Sequence, residues 1–201
     1  MKNPISLISI IAIFFASPAI AQFTHMLPGI STFKDHDGRI TRLYGKAFSH
    51  GNSPTDSAQT FLDDWASVWN CDANDFVPVG PWGSGNHQQP MMYNPDTGLY
   101  KFTGVGYMQT VNGVPVYGSR LTVLVRNEPN FPAVHVSADI QDISTLIENP
   151  KTTNTNGILK AIQKHLVGVH TIAEPTLCVF AGTNGFTTTP TYAYVTEAIA
   201  G

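Results

Sequence analysis

The sequence predicts an α+β protein: an antiparallel sheet (a β-meander) packed on one main helix, followed by a smaller, partial α+β module. Three observations carry this. Residues 54–70 repeat apolar side chains at helical spacing. Residues 99–140 form β-rich runs around turn signals, with Leu121, Val123 and Val125 alternating with Arg120, Thr122 and Leu124. Charged residues are 12% of the chain, about half the usual ~25%, while 17 glycines and 14 prolines supply turns.

Residues 1–21 read as a signal peptide. Lys2 gives the positive start, Ile5 to Ala16 the apolar core, and Ala19-Ile20-Ala21 a small-x-small cleavage site before Gln22. The apolar run is shorter than the ~20 residues that span a bilayer, and no second hydrophobic span follows. The expected product is secreted or periplasmic, with no membrane attachment after signal cleavage.

Residues 22–53 form a lead and a hairpin, with Asp37-Gly38 turning between Thr32-Phe33-Lys34 and Arg39 to Gly45. Asp35-His36-Asp37 sits at that tip, where turn chemistry outweighs a metal or triad role.

Residues 54–148 make the main domain. Its helix, 54–70, has Ser53 or Thr55 as cap, Pro54 in the first turn and Asp56 at the positive end. Phe61, Leu62, Trp65, Val68 and Trp69 form one face that packs on a sheet; such a stripe is core more often than a ligand box. Residues 78–98 read as loop, punctuated by Pro and Gly. Leu99 to Gln109 is the next strand, and Asn112-Gly113 a two-residue type I′ turn. Beyond it Leu121, Val123 and Val125 line one face, and Pro115, which cannot donate to a ladder, marks a sheet edge or a place just before full pairing. Ala133 to Ile140 follows through the turn at Asn127-Glu128-Pro129-Asn130.

A boundary falls near Asn149-Pro150, opening a module over 151–201. Lys151 to Asn156 is polar; Ile158, Leu159, Ile162, His165 and Leu166 suggest a short helix. Leu177 to Phe180 and Thr191 to Glu197 read as strands joined through Gly182, Asn184 and Gly185.

The run Gln109-Thr110, Asn112-Gly113-Val114-Pro115-Val116-Tyr117-Gly118, then Leu121 and Val123, resembles the fungalysin/thermolysin propeptide (FTP) motif of secreted zinc metalloprotease precursors. Gly38 to Gly45 is similar to the opening strands of such precursors. An Arg three positions before the Gln is common in that family; here Gly106 stands there. Helix then hairpin after the motif resembles the start of a PepSY-like module, and Gly201 falls where further strands of that module are expected.

The resemblance implies a non-catalytic pro-region, part of a zymogen, that acts as inhibitor and intramolecular chaperone. The partner would be a cognate metalloprotease catalytic domain, in cis or in trans. Tyr107, Gln109, Asn112, Gly113, Pro115, Tyr117 and Gly118 are the candidate contact surface. The alternatives are a free-standing secreted protease inhibitor or binding module and, further off, a small secreted hydrolase.

The residues point the same way on chemistry. None of the seven histidines is followed by Glu, so His-Glu-x-x-His is missing, and His165 and His170 fall on different helical faces. Gly83-Ser84-Gly85 is followed by no Gly-Lys-Ser/Thr and lacks a nucleophile-elbow frame. No catalytic, cofactor-binding or metal site is expected. A net charge of −3 without a basic run gives no footprint for nucleic acid. Cys71 and Cys178 would meet an oxidising compartment; the sequence leaves a bridge open, and their contexts favour two separately buried thiols.

Overall fold

The computed structural model describes residues 23–24, 29–81, 85–147, 155–165, 169–183 and 186–200. The expected signal peptide, the expected boundary at 149–150, residues 151–154, Leu166 and the expected Asn184-Gly185 turn lie outside the described residues. What is described is mostly antiparallel sheet with two short helices, 18% helical and 49% strand, an α+β-like arrangement.

Nine strands among the described residues share one sheet: β1 (Phe23–Thr24), β2 (Ile30–Lys34), β3 (Ile40–Ser49), β4 (Phe76–Pro78), β5 (Gln88–Asn94), β6 (Leu99–Val111), β7 (Val114–Pro115), β8 (Arg120–Arg126) and β9 (Ala133–Asp139). The meander expected from the sequence is there as β6-β8-β9. The order continues β9-β3-β2-β1, so the N-terminal hairpin joins the same sheet through β9. On the other side β6 is long enough to pair with β5 along its first half and with β4 near its end.

Register explains the two faces. Leu43, Val136, Val123 and Val105 stand directly opposite one another across four strands, and each is fully buried. The neighbouring row, Tyr44, His135, Leu124 and Gly104, points to the other face, because successive side chains alternate across a sheet. Helix α1 (Pro54–Trp65) covers the apolar face, where Ala58, Phe61 and Leu62 are buried against it.

The start of α1 follows the sequence closely. Ser53 Oγ accepts the N–H of Asp56 at 3.1 Å, and Asp56 Oδ2 accepts the N–H of Asn52 at 2.7 Å. Its end differs. The α-helix stops at Trp65, the backbone tightens into a 3-10 turn over Ala66–Trp69, and left-handed Asn70 ends it. The tighter turn lets Trp69 Nε1–H reach the carbonyl of Ile40 at 2.8 Å.

The reading of 78–98 as loop is corrected: it contains β5. That strand carries Pro90 and is exposed along most of its length, so it shows neither the alternation nor the uninterrupted ladder that mark a strand in sequence.

The C-terminal part holds helix α2 (Thr155–His165), β10 (Val169–Ile172), β11 (Thr176–Thr183), β12 (Phe186–Val195) and β13 (Ala198–Ala200). β11 pairs with β12 as the sequence suggested, in longer strands; the β10–β13 pair went unread.

Candidate functional site

The motif's turn has the expected geometry. Asn112 and Gly113 both take left-handed conformations (φ 50° and 78°), with Val111 opposite Val114 and Thr110 opposite Pro115. The hairpin then breaks register. Continuing it would bring Gly118 opposite Tyr107, yet Leu121 stands there, three positions later. The backbone from Val116 to Ser119 therefore arches out as a bulge.

Side chains hold the bulge. Val116 N–H donates to the carbonyl of Gln109 at 2.9 Å, and Ser119 Oγ donates to Val116 O at 2.8 Å while accepting Gln109 N–H at 3.1 Å. The hydroxyl takes the place of the ladder bond that the bulge removes.

Gln109 is buried and works as a backbone mimic. Its Oε1 accepts the N–H of Gln141 at 3.0 Å, and its Nε2 donates to the Gln141 carbonyl at 3.1 Å and to Cys71 Sγ at 3.5 Å. A carboxamide carries a donor and an acceptor side by side, so it can close both bonds of one residue beyond the end of β9. Tyr107 is 1% exposed, its hydroxyl has no partner among the described residues, and burial, with the charge of Asp63, pushes it up to about 12.

These positions correct the expected contact surface. Tyr107 and Gln109 are core residues with no face to offer a partner. Asn112, Gly113, Tyr117 and Gly118 are exposed, and Pro115 is half-buried. The edge from Pro115 to Gly118 is not free. Val116 bridges in parallel to Val179 of β11, Tyr117 N–H donates to the Val179 carbonyl at 2.8 Å, and the Tyr117 ring lies 5.9 Å from that of Phe180. The protein's own C-terminal hairpin supplies the strand that the Pro-bearing edge lacked.

Below the bulge, two adjoining cavities of about 340 and 300 Å³ share Asp37, Arg39, Gln141 and Asp142; Thr188, Thr189 and Pro190 of the C-terminal hairpin close the second. Each nitrogen of the Arg39 guanidinium is engaged there: Nε donates to Asp35 at 2.9 Å, one Nη to Gln141 Oε1 at 3.3 Å and the other to Asp37 at 3.4 Å. Asp35 also accepts the N–H groups of Asp37 and Arg39, so the Asp35-His36-Asp37 tip serves turn geometry. The Ser144 N–H holds Asp142 below its ordinary range, while burial raises Asp139.

Both cysteines are free and buried. Burial, helped by the charge of Asp75, pushes the Cys71 thiol up to about 11, and burial also raises Cys178, so neither is an activated nucleophile. Among the described residues no three His, Cys, Asp or Glu side chains converge as metal ligands would.

Sequence reasoning missed Ser119, Gln141, Val179 and Phe180. Each acts through a partner across the bulge or far along the sequence, and no local pattern singles it out. The protein matches no protein-family model, no curated protein and no solved structure.

Proposed function

We propose that this protein is a non-catalytic pro-region of a secreted zinc metalloprotease, of the fungalysin/thermolysin propeptide kind, with the start of a PepSY-like second module. In this proposal α1 is the main helix of the first domain, and the region acts as inhibitor and intramolecular chaperone. One observation carries it. The residues on which the resemblance rests are those with defined structural tasks: Gln109 clamps Gln141, Asn112-Gly113 make the turn, and Gly118 (φ 74°) lies in the bulge.

Two physical jobs follow. A preformed sheet gives a catalytic domain a surface to fold against, easing a slow non-local topology. An extended segment or strand edge can also enter a cleft. With Val116 engaged by β11, the hairpin tip at Asn112, Gly113, Tyr117 and Gly118 is the part of the motif that faces solvent.

The test reads the coding sequence beyond codon 201 for a continuing frame with His-Glu-x-x-His. The encoded catalytic domain is then refolded with and without this pro-region. A gain in recovered proteolytic activity, or inhibition of the mature enzyme, is expected; the absence of both effects would sink the proposal.

A further inference from the structure

We propose that a hollow on the sheet face turned away from α1 is a binding site for a carboxylate. Gly104 and Gly106 lie on this face of β6, and Gly106 stands directly opposite Thr122 of β8. The backbone at Val79 crosses over Gly106, its carbonyl 2.6 Å from the place a Cβ would occupy, and a hollow remains between the crossing segment and the sheet. The resulting cavity of about 170 Å³ is lined by His87, Gln89, Gly104, Gly106, Arg120 and Thr122, among others.

Arg120 brings an uncompensated cation to this space. It is half-buried, and one Nη donates to the carbonyl of Gly80. That nitrogen lies 3.8 Å from the place a Cβ on Gly106 would occupy. Among the described residues Arg120 makes no ion pair. Asp139, opposite it on β9, accepts instead from Gln141 Nε2 at 3.1 Å. A partly desolvated guanidinium without a counter-charge is unfavourable unless an anion joins it.

His87 supplies the second half. Its Nε2 is buried with no hydrogen-bond partner among the described residues, a cost that a bound acceptor removes. His87 lines the cavity, and its carbonyl accepts the N–H of Gly106 at 2.8 Å. A guanidinium fork and one imidazole N–H suit a flat, singly charged carboxylate. A phosphate, carrying nearly twice the charge, would be left undercompensated by one arginine. The carboxylate can come from an acidic side chain or from the C-terminus of a peptide. None of this depends on the pro-region proposal.

The experiment titrates sodium acetate against sodium chloride at constant ionic strength, following thermal midpoint and the His87 ring resonances. Acetate should raise the midpoint by a few degrees and shift His87 saturably, with a dissociation constant on the order of 10 mM, fitting for so small a ligand. Arg120→Gln should abolish both responses. His87→Ala, which leaves Arg120 in place, should weaken binding several-fold and serves if the first variant does not fold. Acetylglycine and acetyl-aspartate amide then stand for the two sources, and the tighter of them assigns the origin. Equal behaviour in acetate and chloride, a response that survives Arg120→Gln, or tighter binding of inorganic phosphate overturns the proposal.

Discussion

Tyr117 donates its backbone N–H to Val179 while its ring packs at 5.9 Å on Phe180, so one bulged residue joins the C-terminal hairpin to the main sheet. Tyr117→Ala keeps the backbone bond and deletes the ring contact. Amide exchange across β11 should quicken while β6 and β8 keep their protection. A double-mutant cycle with Phe180→Ala should give a coupling of ~0.5–1.5 kcal/mol. Zero coupling would mean that the rings merely lie near each other.

Gln109→Leu fills the same space and strips both partners from Gln141. A buried N–H and a buried carbonyl left unpaired cost ~1–3 kcal/mol each, so chemical denaturation should show a loss of ~2–6 kcal/mol. A loss below ~1 kcal/mol would show that Gln141 finds other partners once the clamp is gone.

Gly113 isolates the conformational cost of the turn. A Cβ built there meets nothing within 4 Å, yet φ is +78°. Gly113→Val should therefore lower stability by ~1–2 kcal/mol through backbone strain alone, and Gly113→Asn, which accepts the left-handed region, should cost clearly less. Equal melting curves for the two variants would contradict the turn assignment.

Alkaline pH should weaken the fold. Burial raises Cys71 from 9.0 to about 11 and Tyr107 from 10.0 to about 12. The unfolded state ionises these groups first, so their contribution is intact below pH 9 and declines as pH climbs through 9–11 for the thiol and 10–12 for the phenol. Denaturation midpoints measured between pH 8 and 11 should fall, and Cys71→Ala should flatten the earlier part of that fall. Thiol reagents at pH 8 should label the native protein far more slowly than the unfolded one.

Much of the fold was legible because its signals are local. The Asn112-Gly113 and Asp37-Gly38 turns, the Ser53 cap and the Phe61-Leu62 face each declare themselves within a few residues. What was not legible is non-local or masked by chemistry. β5 hides behind Pro90 and an exposed, uncharged run; the pairing of β9 with β3 depends on segments far apart in sequence. The candidate site shows the same division. The turn and bulge positions could be named from the motif, but that Gln109 and Tyr107 point inward is decided by α1 and Gln141. That the Pro115 edge is occupied is decided by β11, more than sixty residues later.

The place of β9 between β8 and β3 also imposes a timetable. A ribosome releases β3 long before β9, and at ~5–20 residues per second the hairpin of β2 and β3 waits several seconds for its partner. Through that interval Leu43, destined for full burial, is paired only with Thr32 of β2, and the open side of β3 invites pairing with whatever strand is at hand. The N-terminal hairpin is therefore exposed to misassembly until residues 133–139 close its open edge.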